Sequence, residues 1–224
     1  MRRMTTLVDP YLPGLETFVF DAEEQAAIEA ALATDKPWDC KPGGAVEVSL
    51  TSVKAKIRDL HLMRHGHRCC YCRFPLHGGG HFVIDREHVL PKSIEAFRHL
   101  SYSIWNLGAS CKRCNMQYKG ADVDFVIDAN CAEALQQSEN YRLIHPNFDS
   151  FKDHISFRLE ADDDVTVIKY TKRPGSEKAV YTYDYFGLRG REIGAADEAQ
   201  GLDVPQELGE WATKAQEMAR EHGQ

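Results

Sequence analysis

Two cysteine pairs, each with the spacing C-x-x-C, are the residues of this chain whose types and spacing point most directly to chemistry. Cys69 and Cys72 form the first pair, and Cys111 and Cys114 form the second. A structural zinc ion prefers four such thiolates, and a closed four-cysteine site leaves no position for a substrate. The spacing therefore predicts structural Zn²⁺. Cys70 could replace Cys69, but C-x-C spacing is less usual in a zinc knuckle, so we assign Cys69.

The other readings of the cysteines are free buried thiols, a redox pair or a disulfide framework. No βαβ pattern surrounds either pair, which disfavours a thioredoxin-like redox site. The N-terminal residues lack the apolar segment of a signal peptide, and no run of about 18 apolar residues predicts a membrane span. We therefore expect a cytoplasmic protein, and seven cysteines are an unusual disulfide framework in that reducing compartment.

Polar residues suited to phosphodiester hydrolysis lie between and beside the cysteine pairs. His88 is the candidate general base, because an imidazole titrates near neutral pH. Glu87 and Asn115 offer hard oxygen ligands for a catalytic Mg²⁺ or Mn²⁺. Lys119 and Arg113 are candidate phosphate contacts. Taken singly, His88 could be a structural histidine and Asn115 a helix cap, so the prediction depends on their joint occurrence.

The order of these residues resembles the HNH endonuclease family. That family has a C-x-x-C pair, an acid–His pair followed by a proline, an Asn-Leu pair, and a second C-x-x-C pair followed by His or Asn; here they run from Cys69 to Asn115. The resemblance implies a ββα-metal fold, a supporting role for Asn106 beside the catalytic base, and products with 5′-phosphate and 3′-hydroxyl ends. The family most often has Asp before the base, where this chain has Glu87 with Asp85 two residues earlier.

Features outside that core are similar to the HNH nucleases of Septu and retron-associated systems. A basic helix precedes the first pair, the acid–His pair runs into Pro-Lys-Ser, a tryptophan precedes Asn-Leu, and a Pro-Asn-Phe-Asp segment follows. The resemblance implies a role in bacterial antiphage defence with a regulatory ATPase partner. Other defence or restriction nucleases and a mobile-element enzyme share these features in part. Two further alternatives are a non-catalytic zinc-ribbon module that binds nucleic acid and a structural subunit that assembles a larger complex.

Charge is unevenly distributed along the chain. Residues 52–120 carry twelve lysines or arginines and four acids, a formal charge of +8, whereas the rest carries 15 positive and 30 negative side chains, or −15. A basic segment in an acidic chain is typical of a local phosphate-binding surface, although chance and solubilising acids elsewhere explain the split equally well. We expect DNA rather than RNA as the substrate, because a one-metal ββα site reaches a duplex backbone easily.

The predicted architecture is α+β in three parts. Residues 1–50 form an N-terminal helical extension, residues 51–130 the ββα-metal core with its zinc site, and residues 131–224 a C-terminal extension with a β-hairpin and helices. Asp21 and Glu24 predict a capping box for a helix over 21–34. The remaining predicted elements are helices at about 52–65, 111–119, 131–139 and 206–221, extended pieces before and after Gly78-Gly79-Gly80 with the second at 81–89, and a hairpin around Asp162–Asp164.

Overall fold

The computed structural model describes residues 9–78, 80–162 and 165–192 of the chain. Within these ranges the fold is mixed α/β, with helices beside two separate two-stranded antiparallel sheets. The α-helices are α1 (Ala22–Leu32), α2 (Gly44–Arg64), α3 (Gly80–Val83), α4 (Phe151–His154) and α5 (Glu177–Tyr185). The strands are β1 (Ile84–His88), β2 (Leu107–Cys111), β3 (Ile155–Asp162) and β4 (Val165–Lys172).

Helix α1 begins where the sequence predicts. The Asp21 side chain accepts a hydrogen bond from the Glu24 backbone N–H, and the Glu24 side chain accepts one from the Asp21 N–H, which confirms the capping box. The Glu24 carboxylate also accepts a hydrogen bond of 2.7 Å from Lys56 on α2. The two helices bury Ile28 and Val53 in a shared apolar cluster. The N-terminal part is therefore packed against the helix that leads into the cysteine pairs.

Helix α2 begins at Gly44, eight residues before the predicted start at about 52, so that boundary is wrong. The apolar stripe of Val53 and Ile57 continues backward to Leu50, which is also buried, and no helix-breaking residue follows Gly44. Glu47 accepts a hydrogen bond from the Gly43 N–H at the first turn. Because α2 runs through position 50, the predicted boundary between the extension and the core falls inside one helix.

Strands β1 and β2 and the helix that follows them form a strand–strand–helix unit. β1 pairs antiparallel with β2, with Ile84 opposite Cys111 and His88 opposite Leu107. Every residue of β2 is buried, and a π-helix over Arg113–Lys119 follows directly and ends at Gly120. The sequence predicted a helix with this end, and the structure confirms it.

The strands of this unit are not the pair that the sequence predicted. The extended piece before Gly78 is a tight cysteine turn with a single bridge between Arg68 and Pro75, and the piece predicted at 81–89 begins with the helical turn α3. The true partner of β1 is β2, which follows a loop of 3-10 turns. The local sequence pattern did not predict β2, because its sequence LGASC lacks the alternation of apolar and polar residues that is typical of a half-exposed strand, and it has no run of β-branched residues.

The C-terminal region contains the predicted hairpin, in which β3 pairs with β4 from Ile155 opposite Lys172 to Asp162 opposite Val165. The helix predicted near 131–139 is wrong: two 3-10 turns, Ala134–Gln136 and Ser138–Asn140, replace it. Only Leu135 is buried in the first of these turns, so no apolar stripe supports an α-helix there. The helix predicted at 206–221 lies outside the described residues.

Candidate functional site

The four cysteines of the two C-x-x-C pairs meet in the core. Their Sγ atoms all lie within 4.8 Å of one another, and all four side chains are buried. Sulfur atoms bound tetrahedrally to zinc at about 2.3 Å are separated by about 3.8 Å, and the distance between the Cys72 and Cys111 sulfurs is 3.8 Å. The donor set and its spacing therefore fit a structural Zn²⁺.

Two short backbone turns bring these thiols together. In the first turn the Cys69 N–H donates to the Phe74 carbonyl, and the Arg73 N–H donates to the Cys69 carbonyl. At the second pair the Cys111 N–H donates to the Cys69 sulfur over 3.3 Å. An N–H donated to a sulfur stabilises its thiolate form, which is the form that binds metal. The site is thus held by backbone geometry as well as by the thiols themselves.

Cys70 is outside this cluster, which supports the assignment of Cys69. Its sulfur faces Gly108 on β2, where a Cβ atom would lie 3.3 Å away. The Cys70 N–H donates to the Ala109 carbonyl. Burial is the main cause that raises the pKa of the Cys70 thiol well above its usual value. Cys70 therefore remains a protonated packing residue between the cysteine turn and the sheet.

Arg191 contacts the four-cysteine cluster, and sequence reasoning missed it. Four thiolates around Zn²⁺ carry a net charge of −2, and the Arg191 Nη2 lies 3.6 Å from the Cys111 sulfur. Burial lowers the pKa of Arg191, but the thiolates raise it further, so the net shift is upward. The guanidinium also stacks over Phe74 at 4.7 Å. No local pattern marks Arg191, because it is far from the cysteines in sequence.

One face of β1 carries carboxylates that contact the π-helix. Asp85 and Glu87 are two residues apart, so they point to the same face. Asp85 accepts hydrogen bonds from Lys112, at 2.9 Å, and from the Asn115 amide, at 3.2 Å. Glu87 forms an ion pair of 2.9 Å with Lys119, and the exposed fraction of each of these two side chains is 1%. The structure thus pairs Asn115 with Asp85 and Lys119 with Glu87.

Glu87 is the most unusual of these groups because it is a fully buried acid. Its Oε1 accepts a hydrogen bond of 3.1 Å from the Tyr71 hydroxyl, whereas its Oε2 has no hydrogen-bond partner in the protein. Burial raises the pKa of Glu87, and the contacts with Lys119 and Tyr71 oppose that effect. An unpartnered carboxylate oxygen is chemically suited to a hard divalent cation. The described contacts do not bring Asn115, the second predicted ligand, to Glu87, because its amide is hydrogen-bonded to Asp85.

His88 lies on the opposite face of β1 from Glu87. Its Nε2 is 3.1 Å from the Ser101 carbonyl oxygen, and because a carbonyl can only accept, Nε2 carries the proton and Nδ1 keeps its lone pair. The edge of the ring packs against Trp38, with centroids 4.6 Å apart. Burial lowers the pKa of His88 to about 3. In this conformation the imidazole is a neutral base covered by an aromatic ring.

The cover over His88 is held by several contacts. The Trp38 carbonyl accepts a hydrogen bond of 2.6 Å from Lys54, and the Pro37 carbonyl accepts one of 3.0 Å from the Tyr102 hydroxyl. Lys92, in the segment after His88, forms an ion pair with Asp39. Sequence reasoning assigned no role to Trp38, because an isolated tryptophan in a Pro- and Gly-rich loop has no chemical signature.

Asn106 forms hydrogen bonds with the backbone of the segment that follows His88. Its Oδ1 accepts a hydrogen bond of 2.7 Å from the Leu90 N–H, and its Nδ2 donates to the Leu90 carbonyl at 3.2 Å and the Leu100 carbonyl at 3.4 Å. The side chain is fully buried. Asn106 therefore connects the segment after the histidine to the residue before Ser101. It positions the loop, and the contact with the imidazole ring itself comes from Ser101.

The two candidate phosphate contacts have protein partners in this structure. Lys119 is buried and donates to Glu87 and to the Gly120 carbonyl. Arg113 donates to the carbonyls of Phe186 and Gly187, each at 2.9 Å, and to the Tyr118 hydroxyl. Both cations thus join the π-helix to its surroundings, and neither faces solvent freely.

Among the described residues, the four-cysteine cluster is the one group of at least three His, Cys, Asp or Glu side chains close enough to share a metal ion. A cation at Glu87 would therefore have at most one further ligand of these residue types among the described residues, with amide or water oxygens as the rest. No described helix is both long and apolar enough to cross a bilayer. Comparison with known proteins adds no relative, because no protein-family model, no curated protein and no solved structure matches this chain.

Proposed function

We propose that this protein is a metal-dependent nuclease of the HNH type, with His88 as its general base. The observation that carries the proposal is the hydrogen bond from His88 Nε2 to the Ser101 carbonyl, which leaves Nδ1 unprotonated and able to take a proton from water. The histidine ends the first strand of a strand–strand–helix unit that also carries the zinc ligands Cys111 and Cys114. This is the layout that the family resemblance implies.

In the proposed reaction, Nδ1 of His88 removes a proton from the attacking water, and the leaving 3′-oxygen takes a proton from solvent. Glu87 and Asn115 would hold Mg²⁺ or Mn²⁺, which when bound supplies charge stabilisation at the phosphate. Because Glu87 and His88 leave β1 on opposite faces in this conformation, the proposal requires the segment around His88 to rearrange before both can serve one phosphate. Asn106 and Ser101 fix the loop and the ring orientation, so the lone pair is placed before substrate arrives.

The covered histidine implies a further requirement for activity. A base with a pKa of about 3 accepts a proton poorly at neutral pH, and burial, to which the Trp38 ring contributes by packing against the imidazole, is the largest cause of that low value. Movement of Trp38 would return the pKa of His88 toward about 6.5, the value of a solvated imidazole. We propose that this conformation is the inactive one, and that DNA, or less favourably RNA, is cut after the loop opens.

The test is cleavage of plasmid, linear DNA and tRNA in the presence of Mg²⁺ or Mn²⁺. His88→Ala should lower the rate by about 10²- to 10⁴-fold, the usual contribution of a general base. His99→Ala is the matched control, because His99 is exposed and lies outside the site. Both variants should keep one zinc ion per chain. Equal cleavage rates for the two variants would show that His88 is not the base.

A non-catalytic zinc module is the second candidate function. The observation that favours it is the internal pairing of Glu87 with Lys119, which satisfies most of the buried charge without any cation. Such a module, whether it binds nucleic acid or assembles a complex, should keep its binding or assembly unchanged in the His88→Ala variant. Nucleic-acid affinity that is equal in wild type and His88→Ala, with no cleavage by either, would favour this function.

On the family resemblance we also propose that the nuclease acts in bacterial antiphage defence with an ATPase partner. A small nuclease needs restraint to spare host nucleic acid, and the closed conformation over His88 is compatible with release by a partner. Cleavage measured at fixed ATP with and without a purified candidate ATPase, chosen from the products of any neighbouring genes, tests this relationship. An ATPase that neither binds the chain nor changes its cleavage rate would oppose it.

A further inference from the structure

A second concave site is lined in part by residues of the cysteine turn. It is a cleft of about 640 Å³, within the range of about 300–1,000 Å³ that is usual for small-ligand sites. Three separate segments contribute to it: Tyr11 from the N-terminal region, Arg68 and Arg73 from the cysteine turn, and Lys152 and Phe157 from α4 and β3. None of the residues of the proposed nuclease site lines this cleft.

The cleft is strongly cationic. Four basic side chains line it, and no carboxylate does. Arg158 is neutralised by a bidentate contact with Glu160. Within the described ranges, Arg68, Arg73 and Lys152 have no carboxylate partner within ion-pair distance. Three unpaired cations around one concavity attract a multiply charged anion, such as a phosphate group.

Aromatic rings alternate with these cations. The Arg68 guanidinium lies over the Phe157 ring at 5.5 Å, and the Arg73 guanidinium lies over the Phe151 ring at 5.8 Å. Planar guanidinium and aromatic groups are the surfaces on which nucleobases stack. A phosphate alone needs none of this planar surface, so the lining favours a ligand that carries both a phosphate and an aromatic base.

Arg73 is held in place by its backbone and its hydrogen bonds. Its φ of 61° is in the left-handed region, which is unfavourable for a residue other than glycine. Its guanidinium donates to the His65 carbonyl at 2.9 Å and lies 3.3 Å from the His65 Nδ1. Arg68 in turn donates to the Arg73 carbonyl at 3.1 Å. Arg73 thus supports the end of α2, and Arg68 makes one hydrogen bond to the cysteine turn.

We propose that this cleft binds a nucleotide unit, with its phosphate on Arg68, Arg73 and Lys152 and its base against the Arg68–Phe157 pair. The site goes beyond the proposed nuclease function, because it uses different residues and requires no divalent cation. The nucleotide unit has two sources, a free nucleotide or one nucleotide of a single strand. The chemistry that the cleft presents is the same for both.

The experiment uses the full-length zinc-loaded protein in the His88→Ala background without added Mg²⁺, so that cleavage does not affect the result. Binding of inorganic phosphate, adenosine monophosphate and a fluorescent ten-nucleotide single strand is measured by calorimetry and fluorescence anisotropy. Arg68→Ala should weaken nucleotide binding by about tenfold or more, the value of one charge-assisted hydrogen bond. Lys152→Ala should produce a smaller loss.

Arg142→Ala is the matched control, because Arg142 is exposed and does not line the cleft; it should bind as the parent does. Equal affinity for the monophosphate and the strand identifies a free nucleotide as the source, and binding of the strand alone identifies single-stranded nucleic acid. The proposal is overturned if neither binds, if Arg68→Ala binds as tightly as Arg142→Ala, or if inorganic phosphate binds as tightly as the nucleotide. Zinc content and melting temperature show that each variant is folded.

Discussion

The buried ion pair between Glu87 and Lys119 makes a sharp prediction about stability. Both side chains are 1% exposed and their charged atoms are 2.9 Å apart. Lys119→Met removes the cation and keeps most of the volume of the side chain, so it leaves the carboxylate buried with the Tyr71 hydroxyl as its hydrogen-bond donor. Removing one partner of a buried pair costs about 3–5 kcal/mol, because the remaining charge is desolvated without compensation.

That free-energy loss corresponds to a lower melting temperature of about 6–20 °C, at about 2–4 °C per kcal/mol for a chain of this size. Glu87→Gln should also destabilise, because it leaves the lysine buried without a counter-charge. The double variant Glu87→Gln/Lys119→Met buries no charge at this position. Its free-energy cost should therefore be smaller than the sum of the two single costs by about 2–3 kcal/mol.

The assay is urea unfolding of the wild type, the two single variants and the double variant at pH 7 with saturating zinc and no added Mg²⁺. Unfolding is monitored by circular dichroism. Lys92→Met is the control, because its partner Asp39 is largely exposed and the loss of that ion pair should cost less than about 1 kcal/mol. A Lys119→Met variant that is destabilised no more than Lys92→Met, or additive costs in the double variant, would refute the reasoning. The placement of Glu87 beside the π-helix would then need another explanation.

Three further predictions concern the metal, the cover and acid stability. Chelation of zinc should unfold the core. The Cys69→Ser variant should lose the zinc ion whereas the Cys70→Ser variant keeps it, as measured by zinc release. Equal zinc content in both variants would contradict the assignment of Cys69 as the ligand. Trp38→Leu should accelerate carbethoxylation of His88, measured by peptide mass spectrometry, and an unchanged rate would exclude Trp38 as the cover. Burial lowers the pKa of three further histidines, which are His61, His65 and His145. As the pH falls below about 6.5, the unfolded chain binds protons at these histidines before the folded protein does, so the urea midpoint should fall between pH about 6.5 and about 3. A midpoint that stays constant over this range would contradict the prediction.

Local features of the sequence determined the elements that depend on neighbouring residues. The capping box of Asp21 and Glu24, the end of the π-helix at Gly120 and the β3–β4 hairpin all follow from patterns within about twenty residues. The two C-x-x-C pairs also identified the four thiols that meet in the core. Cysteine spacing can do this because each pair forms its own tight turn, and a metal ion needs both turns together.

Other features depended on contacts between distant segments. Arg191 reaches Cys111 from 80 residues away, and Trp38 covers His88 from a loop 50 residues earlier. The pairing of Lys119 with Glu87, rather than with a phosphate, likewise joins a helix to a strand. Strand β2 is recognisable only by its complete burial and its partner β1.

The sequence by itself thus determined the chemical types that could act and the order in which they occur. The tertiary structure decided which charge faces which, which base is covered and which cations stay unpaired. The physical reason is that hydrogen-bonded turns and helix caps are short-range, whereas burial and charge pairing depend on which segments pack together, and that packing is a property of the whole chain.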